Sequence, residues 1–132
     1  MLQISIAYAG LLIWLSAIAQ HANNLASHGN AYVMSDRSKQ LPDDGFTGRS
    51  ARALRNNMES ALMYVPVAVV TVLQGHSSWL ISAVALVYMV VRTTFTLGYW
   101  LPINPIRSLS WLIGMICIAV LAGNLVYRGF FA

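Results

Sequence analysis

A group of charged and amide side chains leads into an apolar segment in the middle of the chain, and their types and spacing suit binding or catalysis. Arg52, Asn56 and Glu59 recur at intervals of three and four residues, which places them on one face of a helix with Arg55 beside them. Charged groups inside a membrane span are costly unless they pair or line a wet cavity. The stripe therefore indicates either a polar site that faces the protein interior or a set of interfacial anchors and helix-packing contacts.

The composition is typical of an integral membrane protein. Hydrophobic residues make up 58% of the 132 residues and charged residues only 9%, whereas charged residues are about a quarter of an ordinary soluble domain. Five of the eight Lys and Arg residues lie between Arg37 and Arg55. This cluster is too local, and its flanks too apolar, for a nucleic-acid surface. We expect the lipid bilayer to be the partner and the basic residues to report topology.

Four apolar segments predict an all-α fold, an integral membrane four-helix bundle formed by one transmembrane domain over residues 1–132. Helices of this length cross a hydrocarbon core of about 30 Å at about 1.5 Å per residue. Trp79 and Trp100 are spaced to lie at the two interfaces, and Ser77 or Ser78 is expected to cap the helix between them. The predicted spans are about 4–26, 50–74, 78–100 and 106–128.

The polar connections between the spans predict the topology. Residues 27–48 are expected to form a loop in which Asp43 and Asp44 make a turn, and residues 101–106 form a short turn containing two prolines. Most basic residues fall on the side of these connections. Under the positive-inside rule that side is cytoplasmic, so both termini lie on the non-cytoplasmic side of what we expect to be a bacterial inner membrane.

Cysteine and histidine usage argues against disulfide, redox or metal chemistry. Cys117 is the single cysteine and lies in an apolar run. No disulfide can therefore form within the chain, and we expect Cys117 to pack as a small hydrophobic side chain. His21 and His28 are seven residues apart with no third ligand nearby, so no metal site is predicted.

Two motifs carry a resemblance to a known family. The run Arg52-Ala53-Leu54-Arg55-Asn56-Asn57-Met58-Glu59 resembles the R-A-x-x-N-x-x-E signature of the MAPEG family, the membrane-associated proteins of eicosanoid and glutathione metabolism. The segment from Arg92 to Tyr99, followed by Pro105-Ile106-Arg107-Ser108, is similar to the third-helix and fourth-helix motif of the same family, especially its prostaglandin E synthase branch. The similarity covers nearly the whole chain and indicates a bacterial-type member.

This resemblance implies a homotrimer of four-helix subunits that binds glutathione as a co-substrate near the cytoplasmic face. It implies a transferase or peroxidase that activates the glutathione thiolate against lipophilic electrophiles. Arg107 would face the thiol and act as the catalytic residue, since a guanidinium beside the sulfur favours the reactive thiolate. The remaining implied glutathione-binding residues are Arg52, Asn56, Glu59, Arg92 and Tyr99.

Three positions depart from the family pattern and leave the activity open. Ser60 stands where several members carry a tyrosine that contacts glutathione, Phe95 lacks a hydroxyl found in some eicosanoid synthases, and Leu62 replaces a common proline. Conjugation, peroxide reduction and isomerisation remain alternatives. The other reading is a non-catalytic MAPEG-like scaffold, an accessory subunit of a larger membrane complex.

Overall fold

The computed structural model describes residues 1–131 and confirms the all-α, four-helix architecture. No strand occurs within these residues. The four helices are α1 (Leu2–Val33), α2 (Gly45–Leu73), α3 (Trp79–Trp100) and α4 (Asn104–Phe131). They follow one another with short connections, and α3 packs mainly against α4 while α1 packs mainly against α2.

The core is built where apolar and small side chains from all four helices meet. Tyr64 and Ala68 of α2, Ala85 of α3 and Leu121 of α4 are almost completely buried in one hydrophobic cluster. Small residues such as these alanines let helix backbones approach closely, which stabilises helix packing in a bilayer. Large apolar side chains also cover the outside of the bundle, as expected for a surface that faces lipid.

Three of the four helices are long and apolar enough to cross a membrane: α1, α3 and α4. These spans support an integral membrane protein. Helix α2 is not among them, and its first half carries Arg49, Arg52, Arg55 and Glu59. Its 29 residues nevertheless extend about 43 Å at 1.5 Å per residue, so a crossing by α2 stays a prediction from its length.

The connection between α1 and α2 is shorter than the sequence predicted. Helix α1 continues to Val33 through a kink at Gly29, whose φ of 79° is a left-handed conformation that favours glycine. Helix α2 begins at Gly45, and the amide of Gly48 donates to the Asp44 carbonyl over 3.0 Å. Only residues 34–44 are left outside the helices, because Gly29 redirects the helix instead of ending it.

The start of α3 agrees with the sequence-based prediction. Ser78 is its N-cap, and the Ser78 hydroxyl accepts a hydrogen bond from the Ile81 amide over 3.2 Å. Such a bond satisfies one of the amides that have no partner inside the first turn.

Pro66 lies within α2, on its exposed face.

Candidate functional site

Five of the six sequence-predicted site residues line two adjoining cavities between α2, α3 and α4. The first, which we call the rim cavity, has a volume of about 180 Å³ and lies where α3 ends and α4 begins. The second, the inner cavity, has a volume of about 110 Å³. Both are lined by Asn56 and Trp111, so they are neighbours. The rim cavity is also lined by Phe95, Tyr99, Arg107 and Ser108, and the inner cavity by Glu59, Ser60, Met63, Arg92, Gly114 and Met115.

Arg92 is the most deeply buried charged residue of the site, with 3% of its surface exposed. Its guanidinium donates to the Oδ1 atoms of Asn56, over 3.2 Å, and of Asn57. It also lies 4.3 Å from the centroid of the Phe95 ring, a favourable cation–π distance. Two amide oxygens and one aromatic face therefore replace the water that a buried guanidinium loses.

Asn57 is the residue that sequence reasoning missed. Its side chain is 3% exposed, and its Nδ2 atom donates to Ser16 of α1 and to Thr96 of α3, each over 2.9 Å. Because it also accepts from Arg92, Asn57 links three helices around the buried charge. The signal in the sequence was the second amide of the pair Asn56-Asn57, but Asn57 lies off the polar stripe and was not assigned a role.

Arg107 is held at the rim cavity by a close approach of α4 to α3. Its guanidinium carbon lies 4.9 Å from the centroid of the Tyr99 ring. A Cβ atom built on Gly98 would lie only 3.2 Å from the Arg107 backbone nitrogen and 3.3 Å from its Cα atom. The absence of a side chain at Gly98 therefore lets the first turn of α4 sit against α3 and brings Arg107 over Tyr99.

We expect Gly98→Ala to destabilise this contact. The added methyl group must push α4 away by a few tenths of an ångström, and overpacking of this kind costs about 1–3 kcal/mol. Gly114→Ala is the matched control, because its Cβ atom would make ordinary contacts at 3.7 and 3.8 Å with Arg92 and Val91. Thermal unfolding of the detergent-solubilised protein measures the effect. A Gly98→Ala variant as stable as Gly114→Ala would show that the close approach does not hold Arg107.

Arg52 and Glu59 differ from the other predicted residues in their surroundings. Arg52 lines neither cavity, and its Nη1 atom donates to the Asp43 carboxylate over 2.7 Å and to the Asp43 carbonyl over 3.0 Å. Asp43, which lies in the connection just before α2, therefore forms an ion pair with Arg52. Glu59 lines the inner cavity and is exposed. Within residues 1–131 of one chain, Arg52–Asp43 is the one ion pair, so no arginine pairs with Glu59 there.

The three departures from the family pattern occupy different environments. Ser60 is buried and its hydroxyl lies 2.9 Å from the Tyr88 hydroxyl. Phe95 supplies the ring beneath the Arg92 guanidinium. Leu62 is 75% exposed on the outside of the bundle, so it does not line either cavity. Replacement of a tyrosine by Ser60 therefore leaves a small hydroxyl at the inner cavity, already in contact with Tyr88.

The described residues offer no evident metal ligand set. Within residues 1–131, no three His, Cys, Asp or Glu side chains are close enough to hold a metal ion together. Cys117 is free and buried in the core cluster, away from both cavities. The polar side chains that line the two cavities carry guanidinium, amide, carboxylate, hydroxyl and phenol groups.

Comparison with known proteins identifies the family. The model of the MAPEG family matches residues 1–127, which include both motifs and all four helices except the end of α4. No match was found among curated proteins. The match extends over far more than half of the chain and agrees with the all-α membrane architecture. The chain therefore belongs to the MAPEG family of integral membrane proteins.

Proposed function

We propose that this protein is a membrane-bound enzyme that binds glutathione as a co-substrate and uses its thiolate against lipophilic electrophiles. The observation that carries the proposal is the position of Arg107, whose guanidinium lies over Tyr99 at the rim cavity. A free thiol titrates near pH 8.5, and only its thiolate is a strong nucleophile. A guanidinium at the cavity stabilises the anion and raises the reactive fraction at neutral pH.

The charges around the two cavities suit a tripeptide with two carboxylates and one ammonium group. Arg92 and Arg107 provide positive charge at the inner and rim cavities, and Glu59 provides a carboxylate that pairs with no arginine within residues 1–131. We infer that Glu59 and Asn56 bind polar groups of the glutathione backbone while Tyr99 contacts it beside Arg107. Arg52 joins this set only when an anion of the ligand replaces Asp43 as its partner.

The chemical step follows from the thiolate. Its sulfur donates an electron pair to an electrophilic carbon of the substrate, and a C–S bond forms. In a substitution, the bond to the leaving group breaks and its electron pair departs with that group. In an addition, the electron pair moves into the conjugated system of the substrate. In peroxide reduction the sulfur would instead attack one peroxide oxygen, so that an S–O bond forms while the O–O bond breaks and an alcohol is released after protonation. A second glutathione thiol would then convert the sulfenic acid to the disulfide and water. Isomerisation would return the thiolate. All three reactions require the same stabilised anion, and the apolar outer surface of the bundle gives lipophilic substrates access from the bilayer.

The size of the cavities supports an oligomeric site. Volumes of about 180 and 110 Å³ are each below the roughly 300–1,000 Å³ of typical ligand pockets. One chain therefore offers only part of the enclosure for a tripeptide. We propose that neighbouring copies in a homotrimer complete it, consistent with the trimer that the family resemblance implies.

A non-catalytic scaffold is the second candidate. The observation that favours it is the bonding of Arg92 and Arg52 within their own chain, to amides and to Asp43 respectively. A protein that uses these residues only for folding would keep the polar network and bind no glutathione. Such a protein would act as an accessory subunit of a larger membrane complex.

Glutathione binding to the Glu59→Gln variant tests the proposed function. We expect the wild type to bind glutathione and the variant to bind it about tenfold to a hundredfold more weakly, because a charge-assisted contact contributes about 1.5–3 kcal/mol. Titration calorimetry in detergent measures the affinity, and gel filtration measures the oligomer. Loss of the oligomer with normal binding per folded unit would assign Glu59 to structure, and a wild type without binding would favour the scaffold.

The proposed orientation has the 34–44 connection and the 101–103 turn in the cytoplasm and both termini outside. The basic residues Arg37, Lys39, Arg49 and Arg55 support it, because cytoplasmic segments near membrane spans are enriched in positive charge. Reporter fusions after residue 132 and within the 34–44 connection measure the orientation. A C-terminal fusion that is active in the cytoplasm would reverse the assignment and the side from which glutathione enters.

A further inference from the structure

A third cavity lies at the end of α1, apart from the rim and inner cavities. Helix α1 has 32 residues and extends about 48 Å, which exceeds a hydrocarbon core of about 30 Å. Because the apolar residues of α1 lie mainly in its first half, we expect its last turn, redirected at Gly29, and the 34–44 connection at the level of the lipid headgroups. The cavity between them has a volume of about 350 Å³ and is lined mostly by polar side chains, among them His28, Tyr32, Asp36 and Lys39.

Two opposite charges line this cavity without pairing with each other. Within residues 1–131, Arg52–Asp43 is the one ion pair with its charged atoms within 4 Å. The Lys39 ammonium and the Asp36 carboxylate therefore lie more than 4 Å apart while lining the same cavity. A cavity with a cation and an anion on its walls is complementary to a ligand that carries both charges.

The carboxylate of Asp36 is fixed in place by the connection itself. Its Oδ1 atom accepts hydrogen bonds from the Ser38 amide over 3.1 Å and from the Ser38 hydroxyl over 2.9 Å. Both bonds lower the pKa of Asp36 from its ordinary value, and the bond from the Ser38 amide has the larger effect. The carboxylate is consequently ionised at neutral pH, with its other oxygen left to accept a donor from a ligand.

His28 and Tyr32 form the part of the cavity wall that α1 provides. The Nε2 atom of His28 is buried and has no hydrogen-bond partner within residues 1–131, so this atom does not face the open cavity. The His28 ring packs at a tilt against Tyr32, with ring centroids 5.8 Å apart.

We propose that this cavity binds the phosphoethanolamine headgroup of a membrane phospholipid. The phosphate oxygens accept hydrogen bonds from the Lys39 ammonium, and the primary ammonium of the headgroup donates to the Asp36 carboxylate. A phosphocholine headgroup carries the same charges, but its quaternary nitrogen has no N–H to donate. A phosphoglycerol headgroup has no cation for Asp36. The cavity therefore selects phosphatidylethanolamine over both, independently of glutathione binding.

Lipid retention by the purified full-length protein tests this site. Phosphatidylethanolamine is added in detergent together with an equal amount of either phosphatidylcholine or phosphatidylglycerol, all with identical acyl chains, and native mass spectrometry counts the lipids that stay bound. We expect the wild type to retain phosphatidylethanolamine about tenfold better, the effect of one charge-assisted hydrogen bond. Lys39→Ala should weaken retention, and Asp36→Asn should bring the two lipids close to equal retention.

Two substitutions serve as matched controls. Asp44→Asn removes another acidic charge near the connection whose side chain makes no capping bond, and Arg128→Ala removes a basic charge in the last turn of α4. Both should keep the preference. Displacement of the retained lipid by free phosphoethanolamine would support the site and show that the headgroup alone is recognised. Equal retention of the two lipids by the wild type, stronger retention of phosphatidylglycerol, or a preference that survives in Asp36→Asn would overturn the proposal.

Discussion

Replacement of Arg107 by alanine is expected to abolish most of the glutathione thiolate at neutral pH while the oligomer stays intact. Loss of one charge-assisted donor to an anion in a sheltered site costs about 2.7–4 kcal/mol, or roughly a hundredfold to a thousandfold in rate. The guanidinium of Arg107 stacks on Tyr99 and is only partly buried, so its removal leaves no buried group without a partner. Ultraviolet difference spectroscopy of bound glutathione and turnover with a small aromatic electrophile measure the two effects.

Controls separate this role from that of an interfacial anchor. Arg107→Lys keeps the charge but loses the planar stacking and the fork of donors, so we expect partial recovery of the thiolate. Arg128→Ala removes a basic residue at the opposite end of α4 and should leave the thiolate unchanged. Identical thiol titrations for wild type and Arg107→Ala would assign Arg107 to anchoring. A wild type that shows no thiolate at neutral pH would favour the non-catalytic scaffold.

Replacement of Asn57 by leucine is expected to destabilise the protein strongly. The substitution removes an acceptor from the buried Arg92 guanidinium, and loss of a hydrogen bond to a buried charged group costs about 1.5–3 kcal/mol. Ser16 and Thr96 keep other partners, because their hydroxyls also donate to the carbonyls of Leu12 and Arg92. The charge on Arg92 is thus the main source of the expected loss. Thermal unfolding in detergent measures it.

A second substitution makes this prediction specific. Asn57→Leu combined with Arg92→Met replaces both the hydrogen-bond acceptor and the charged donor by apolar side chains. No buried charge is then left without a partner, so we expect the double variant to be more stable than Asn57→Leu alone. Asn56→Leu is the milder comparison, because Asn56 is less buried and Asn57 remains to accept from Arg92. If the double variant is less stable than Asn57→Leu, the buried charge is not what Asn57 stabilises.

Much of the architecture follows from the sequence. Apolar segments of membrane length predicted four helices, and the tryptophans at 79 and 100 coincide with the ends of α3. These features are local: hydropathy, helix length and interfacial residues act within one segment. The helical spacing of Asn56 and Glu59 likewise predicted that both side chains lie on one face, and both line the inner cavity. The two motifs indicated the family, which the match over residues 1–127 confirms.

The tertiary structure decided what each polar side chain contacts. Arg52 shares the predicted stripe, yet it bonds to Asp43 because the 34–44 connection returns next to the start of α2. Asn57 lies off the stripe, yet it holds the centre of the network because α1 and α3 pack against that face. Periodicity specifies a direction around one helix axis, whereas a bonding partner depends on how neighbouring helices are placed. The position of Arg107 over Tyr99 depends in the same way on the close approach of α4 at Gly98.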